Sequence, residues 1–145
     1  MKNDLELLKA IVDTNIFVSG LICKAGNPAL LINAFKNNEF NLITSSQLMD
    51  EFIEVIERPH IKHKYKLTDE EIKDFIEYIY REATIVLGMY EVKGSEDPKD
   101  NMFLACALEG KADYLITGDP HLGNLKYYHG IQIVNVGQFL RLLET

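Results

Sequence analysis

Apolar and polar positions along the chain switch repeatedly between a short strand-like period and a helical one. Residues 7–12 form an apolar run that ends on Asp13-Thr14-Asn15, the pattern of a central strand buried in a parallel sheet. Residues 16–24 are mostly apolar and include Gly20. Gly26-Asn27-Pro28 reads as a turn, with Pro28 suited to open a helix to about Asn37 whose face is Leu30, Leu31, Ala34 and Phe35. Residues 39–44 alternate as a second strand. Ser45 or Ser46 then caps a helix that stops before Pro59, with Leu48, Phe52, Val55 and Ile56 as its apolar stripe. Thr68-Asp69-Glu70-Glu71 is a capping box opening a helix to about Ala83, and residues 84–87 make a third strand. Residues 89–96 read as loop or strand fragment. A helix begins at Asp97-Pro98-Lys99-Asp100, carries Phe103, Leu104, Ala107 and Leu108 on one face, and ends on Gly110 as its cap. Residues 114–117 form a fourth strand before Gly118-Asp119-Pro120. Residues 131–136 form another, leading to a helix over about 138–143. This alternation predicts a parallel, doubly wound sheet in a single three-layer α/β/α domain spanning residues 1–145.

Composition changes this picture little. The 145 residues are 47% hydrophobic and 26% charged, ordinary for one globular domain. No stretch approaches the ~20 apolar residues of a membrane span, and residues 1–9 alternate charged and apolar side chains, unlike a secretory signal. Cys23 and Cys106 have no metal-ligand spacing and are expected to be reduced and structural, which fits a cytoplasmic protein. The net charge of −7 argues against a broadly basic nucleic-acid surface. It leaves room for acids gathered around divalent metals, whose charge the ions offset locally.

The candidate chemistry lies in four acids. Asp13 and Asp119 each follow an apolar strand, at the sheet edge where ligands bind in α/β folds. Glu51 lies early in the helix after the second strand, and Asp100 opens the helix after the third. A right-handed crossover brings both helix starts to that same edge. Taken singly, each acid also reads as a turn former, a cap or a partner of the helix dipole. Glu51 resists that reading: it falls inside the apolar stripe, no Lys or Arg precedes it nearby on that face, and an unpaired buried charge is costly. A divalent cation would satisfy it, and four carboxylates make a hard oxygen site suited to Mg²⁺ or Mn²⁺ and to phosphoryl chemistry with a metal-activated water. No Walker loop, Gly-x-Ser-x-Gly, Gly-x-Gly-x-x-Gly or His-Glu-x-x-His competes. His60 and His63 read as solvated surface residues, and His121 is the histidine nearest the rim in sequence.

The ordered motifs Ile-Val-Asp13-Thr-Asn15, Ser45-Ser-Gln-Leu-Met-Asp-Glu51, Asp97-Pro-Lys-Asp100-Asn-Met-Phe-Leu-Ala and Ile-Thr117-Gly-Asp119 resemble a PIN domain over nearly the whole chain. The likeness is greatest to the branch of toxins of toxin–antitoxin systems, related to VapC-type ribonucleases. It implies a Mg²⁺- or Mn²⁺-dependent endoribonuclease in which Asp13, Glu51, Asp100 and Asp119 bind metal and Asp97 is an outer-shell acid. Asn15 and Thr117 would brace Asp13 and Asp119, and Ser45 would sit near Glu51. It further implies a homodimer held inactive by an antitoxin protein. Candidate grips on an RNA substrate are Lys24, Arg58, Lys62, Lys64, Lys99 and Lys126, with Tyr127 and Tyr128 as stacking surfaces for bases or as packing under the loop. Two rival readings remain: a PIN scaffold that binds RNA or protein without cutting, and a Mg²⁺ phosphatase of the haloacid dehalogenase type. The second wants an acid two residues after Asp13, where this chain has Asn15.

Overall fold

The computed structural model describes residues 7–144; the N-terminal stretch weighed above as a signal lies mostly outside them. The strands are β1 (Lys9–Val12), β2 (Asn41–Ser45), β3 (Thr84–Val86), β4 (Tyr114–Ile116), β5 (Tyr127–Tyr128) and β6 (Ile131–Val134). They form one six-stranded sheet in the order β3-β2-β1-β4-β6-β5. Every pairing is parallel except β5 with β6. The helices are α1 (Thr14–Ile22), α2 (Asn27–Lys36), α3 (Ser46–Ile56), α4 (Pro59–Lys62), α5 (Asp69–Glu82), α6 (Pro98–Glu109), α7 (Pro120–Gly123) and α8 (Val136–Leu143).

The strand period of two divides the core between the two sheet faces. Ala10 and Val12 of β1, Leu42 of β2 and Ile116 of β4 face a layer built from α1, α2, α3, α5 and α8. Ile11, Ile43, Leu115 and Ile133 face the other way, onto Phe103, Leu104 and Ala107 of α6. Phe17, Phe52 and Phe75 meet edge-on or tilted at 5.5–6.1 Å, tying α1, α3 and α5 together. Such aromatic pairs add about 1 kcal/mol each beyond the area they bury. The fold is thus the expected three-layer α/β/α arrangement around a mostly parallel sheet.

Several details differ from the sequence expectation. Leu30 does not join the buried face of α2; it is 51% exposed, and Ala29 and Ile32 lie inside in its place. β2 begins at Asn41, and Phe40 just ahead of it is buried against Phe35 and Phe139. Residues 89–92 belong to no strand or helix. Cys23 is exposed and so is not a packing residue, whereas Cys106 is buried and its thiol is pushed up to about 12 by that burial. Gly110 caps α6 with ordinary right-handed dihedrals, and Lys111 takes the left-handed turn. A side chain at Gly110 would collide with Ile43, so the glycine serves close approach of α6 to the sheet. Among the described residues no single helix is long and apolar enough to cross a membrane; α1 and α2 together are, but they meet at 102°.

The strand order fixes where a site can form. From β1 the chain moves outward to β2 and β3, then crosses over to β4 on the other side of β1. β1 and β4 therefore flank the point where the winding reverses, and a crevice opens there at the C-terminal strand ends.

Candidate active site at the carboxyl edge of the sheet

Asp13 and Thr117 stand side by side at that reversal. Val12 pairs with Ile116 in register, and the Asp13 N–H extends the ladder by donating to the Ile116 carbonyl at 2.9 Å. Asp13 is also the N-cap of α1: its Oδ1 accepts from the Asn15 N–H at 3.0 Å. Its Oδ2 accepts from the Thr117 hydroxyl at 2.9 Å. Thr117 Oγ1 accepts in turn from the Asp119 N–H at 3.0 Å, so one buried hydroxyl ties both acids to the strand ends. Asp119 caps α7 through the His121 N–H, and His121 itself is exposed. Asn15 therefore braces Asp13 with its backbone, and its exposed side chain is left to face the surface.

Asp100 comes from the opposite layer. It lies in the first turn of α6 and is only 2% exposed. Ser95 donates to its Oδ2 at 3.4 Å. Asn101 holds the Ser95 backbone through both ends of its amide, each at 2.8 Å. Ser95 and Asn101 were not singled out from sequence, and the signal for them is the Asn directly after Asp100, placed to reach back over the helix start. Asp97 is exposed and caps α6 through the Lys99 N–H at 2.9 Å. Burial raises the pKa of Asp100, and the negative charges of Asp119 and Asp97 raise it further. Burial also raises the pKa of Asp13, opposed by its bonds to Asn15 and Thr117 and by the charge of Lys99.

Glu51 is where the structure corrects the expectation most. The absence of a nearby cation held only along its own helix. Across the gap between α3 and α6, Lys99 Nζ lies 2.8 Å from Glu51 Oε1. The other carboxylate oxygen, Oε2, is buried and has no hydrogen-bond partner among the described residues. Ser45 acts one step further back: its hydroxyl caps α3 by accepting from the Leu48 N–H, starting the helix that carries Glu51.

Two clefts flank Asn15. One of about 750 Å³ is lined by Asp13, Asn15, Asp119, Asn135 and Arg141. The other, about 680 Å³, is lined by Asn15, Glu51, Arg58, Lys99 and Met102. Of the candidate cations, Arg58 and Lys99 thus stand in a cleft wall. Lys24 lines a separate hollow beside α5, Lys62 pairs with Glu57 and Asp69, and Lys64 sits over the Tyr65 ring. Lys126 is exposed in a left-handed turn, beside Tyr127 at 60% exposure. Tyr128 packs partly into the core. Arg141 is the cleft cation that sequence reasoning missed. It lies on α8, remote from every acidic motif in sequence, and only the β6–α8 connection brings it beside Asp119.

The donor chemistry fits a divalent cation. The acids offer hard carboxylate oxygens, two of them buried, and Glu51 Oε2 is an orphaned acceptor of the kind a cation satisfies. Among the described residues, however, no three His, Cys, Asp or Glu side chains are drawn together into a metal-holding group as they stand. The acids fall into an Asp100–Asp119 pair and a Glu51–Lys99 ion pair, with Asp13 sensing the charges of the second.

Residues 9–121 match the profile of a family described as PIN domain. A protein of Methanocaldococcus jannaschii named Uncharacterized protein MJ1680 is 27% identical over 119 residues, covering 82% of this chain and 76% of that protein. The crystal structure of PAE2754 from Pyrobaculum aerophilum superposes with a TM-score of 0.58 at 11% identity, covering 95% of this chain and 90% of that one, which is a likeness of fold.

Proposed function

The chain belongs to the PIN-domain family, whose fold is of nuclease type, and on that premise we propose that it is a metal-dependent endoribonuclease. The observation that carries the reading is the gathering of Asp13, Asn15 and Asp119 in one cleft at the β1–β4 reversal, with the buried Asp100 of α6 near enough for the Asp119 charge to act on it. Buried like charges destabilise a fold unless something compensates them, and a divalent cation at this rim does so. Asp13, Asp100, Asp119 and Glu51 are the residues that would hold Mg²⁺ or Mn²⁺. An ion held by these carboxylates would supply a water of lowered pKa as the nucleophile for phosphodiester hydrolysis.

The chain's own residues supply the rest. Thr117 fixes Asp13 and the Asp119 backbone in one rigid unit, so the acids need little rearrangement. Ser95 and Asn101 hold the start of α6 and with it Asp100. The clefts either side of Asn15 give a single strand a path across the rim, with Arg141 and Arg58 in their walls to meet phosphates. RNA as the substrate, dimerisation, and a role as the toxin of a pair restrained by an antitoxin rest on the resemblance of the motifs to the toxin branch. A cytoplasmic location is part of the same reading.

The net charge of −7 favours one rival, a PIN scaffold that binds a partner without cutting. Cleavage of single-stranded RNA by wild type and Asp13→Asn in Mn²⁺ separates the two. Loss of metal-dependent cutting in the variant is expected. Cutting should also survive a 2′-deoxy substitution at the scissile position, because water and not the 2′-hydroxyl attacks. Full activity of Asp13→Asn overturns the proposal.

A further inference from the structure

We propose that the groove between α3 and α6 is a base-binding subsite: the ring of Tyr90 stacks on one unpaired base of a single-stranded RNA, and the amide of Gln47 reads that base's edge. The inference rests on the ribonuclease reading above and says where, away from the acids, the strand is recognised.

The first ground is continuity. The cleft that holds Asn15, Glu51 and Lys99 is also lined by Gln47 and Met102. The same Gln47 and Met102 line a smaller hollow of about 100 Å³, whose wall continues through Gly88, Tyr90, Cys106 and Glu109. The two hollows therefore share a wall and make one groove leading from the rim to Tyr90. At about 1.5 Å per residue, α6 runs roughly 14 Å from Asp100 to Glu109 at the far end, the span of a few stacked nucleotides.

The second ground is the chemistry of the lining. Near the rim, Arg58 and Lys99 are each already paired with an acid, Glu54 and Glu51. Beyond them the groove holds no Lys or Arg among the described residues. Such a wall does not draw a phosphate; it suits the flat, neutral part of a nucleotide. Tyr90 is 53% exposed, and its ring makes no aromatic or cation contact among the described residues. Of the exposed tyrosines it is the one that lines a hollow joined to the rim. The Gln47 side chain is exposed too, and its amide makes no hydrogen bond among the described residues. An amide offers two donors and an acceptor, which is what the edge of an unpaired base requires.

The third ground is that the backbone carrying Tyr90 is pinned in advance. The N–H groups of Gly88, Met89 and Tyr90 donate to the Glu109 carboxylate at 3.2, 2.8 and 3.2 Å. Glu109 ends α6, where the helix dipole disfavours an acid, and its hold on this segment is the compensation. Gly88 has a φ of +80°, and a side chain there would occupy the space taken by the Gln47 amide. A ring on a fixed backbone loses little freedom when a base stacks on it.

The test uses the full chain in Mn²⁺ and a set of short single-stranded RNAs, each abasic at one position around the cut, with kcat/KM as the readout. On wild type, one position should carry a loss of about 5- to 100-fold. Tyr90→Phe should keep that loss. Tyr90→Ala and Tyr90→Leu should erase it and cut the intact RNA more slowly by the same factor, with circular dichroism establishing that both are folded. Gln47→Ala should keep the loss and flatten the preference among bases at that position; an unchanged preference removes Gln47 from the site. Cutting by wild type with no abasic penalty that depends on Tyr90 overturns the subsite and leaves the nuclease standing. A wild-type dimer dissociated by Tyr90→Ala with an unchanged abasic profile assigns the patch to a second copy, and likewise overturns the subsite. No cutting by folded wild type overturns both the nuclease reading and this inference.

Discussion

Thr117 is the residue on which most of the site geometry converges. Its hydroxyl donates to Asp13 and accepts from the Asp119 N–H. Thr117→Val keeps the shape and removes both bonds, so it should lower stability by about 1–3 kcal/mol and weaken Mn²⁺ binding, as denaturant melts and titration would measure. Asp100 illustrates the opposite balance. Burial and two neighbouring acids oppose its charge, so Asp100→Asn should raise the Tm of the metal-free chain while abolishing the stabilisation conferred by Mn²⁺. The pH dependence follows in sign. Asp13 and Asp100 both titrate above the ordinary value of 3.8, so the folded chain holds these protons more tightly than the unfolded one. Their contribution is most favourable below 3.8 and is lost as pH rises through the raised values. The rise in Tm produced by Mn²⁺ should therefore grow with pH over that window, as melts with and without the ion would record. At this scale the sequence revealed where the acids go, because each follows a strand or opens a helix. The Glu51 partner was hidden because Lys99 belongs to another helix, and adjacency along one chain segment says nothing about a contact across two.

At the scale of elements, helices and strands with strong period and clear caps were legible. The Thr68 capping box, the Ser45 cap and the Asp97-Pro98 start of α6 all form as read. Of what was missed, α4, α7 and β5 hold too few residues to show a period, and α1, read only as a mostly apolar segment, is buried over so much of its surface that no polar face marks its turns. Leu30 was misplaced because an apolar residue at the edge of a helical stripe is consistent with either side, and the packing of α1 against α2 decides it. That packing depends on Gly20, where an added Cβ would meet Ile32 Cδ1 at 2.4 Å and the Pro28 carbonyl at 3.0 Å. Gly20→Ala should destabilise the fold, because backbone cannot withdraw as a side chain can. Thr68→Ala is the control, distant from the rim. It should cost about 1 kcal/mol of stability in chemical denaturation and leave Mn²⁺ binding unchanged.

Across the whole molecule, the order of strands explains why residues from β1, α3, α6 and β4 share one edge. The reversal between β1 and β4 was foreseen only as a sheet edge, since alternating elements fix a parallel sheet but not the order of its strands. Charge was legible as a total and not as a distribution. The net −7 hides that Arg141, Arg58 and Lys99 stand in the two cleft walls while Lys24, Lys62 and Lys64 lie elsewhere. Arg141→Ala should weaken binding of single-stranded RNA and reduce the steepness of its salt dependence by about 0.7, with little change in the rate of a saturated reaction. Fluorescence anisotropy over a salt series would measure the first two. This rim is proposed to cut RNA with a divalent ion. The most direct test is incubation of a mixed single-stranded RNA pool with purified protein in Mn²⁺, in Mg²⁺ and in EDTA, beside Asp119→Asn purified identically. Cutting in at least one of the two metals, absent in EDTA and in the variant, is the predicted result. Intact RNA with folded wild-type protein in both metals, or equal cutting by the variant, would contradict it.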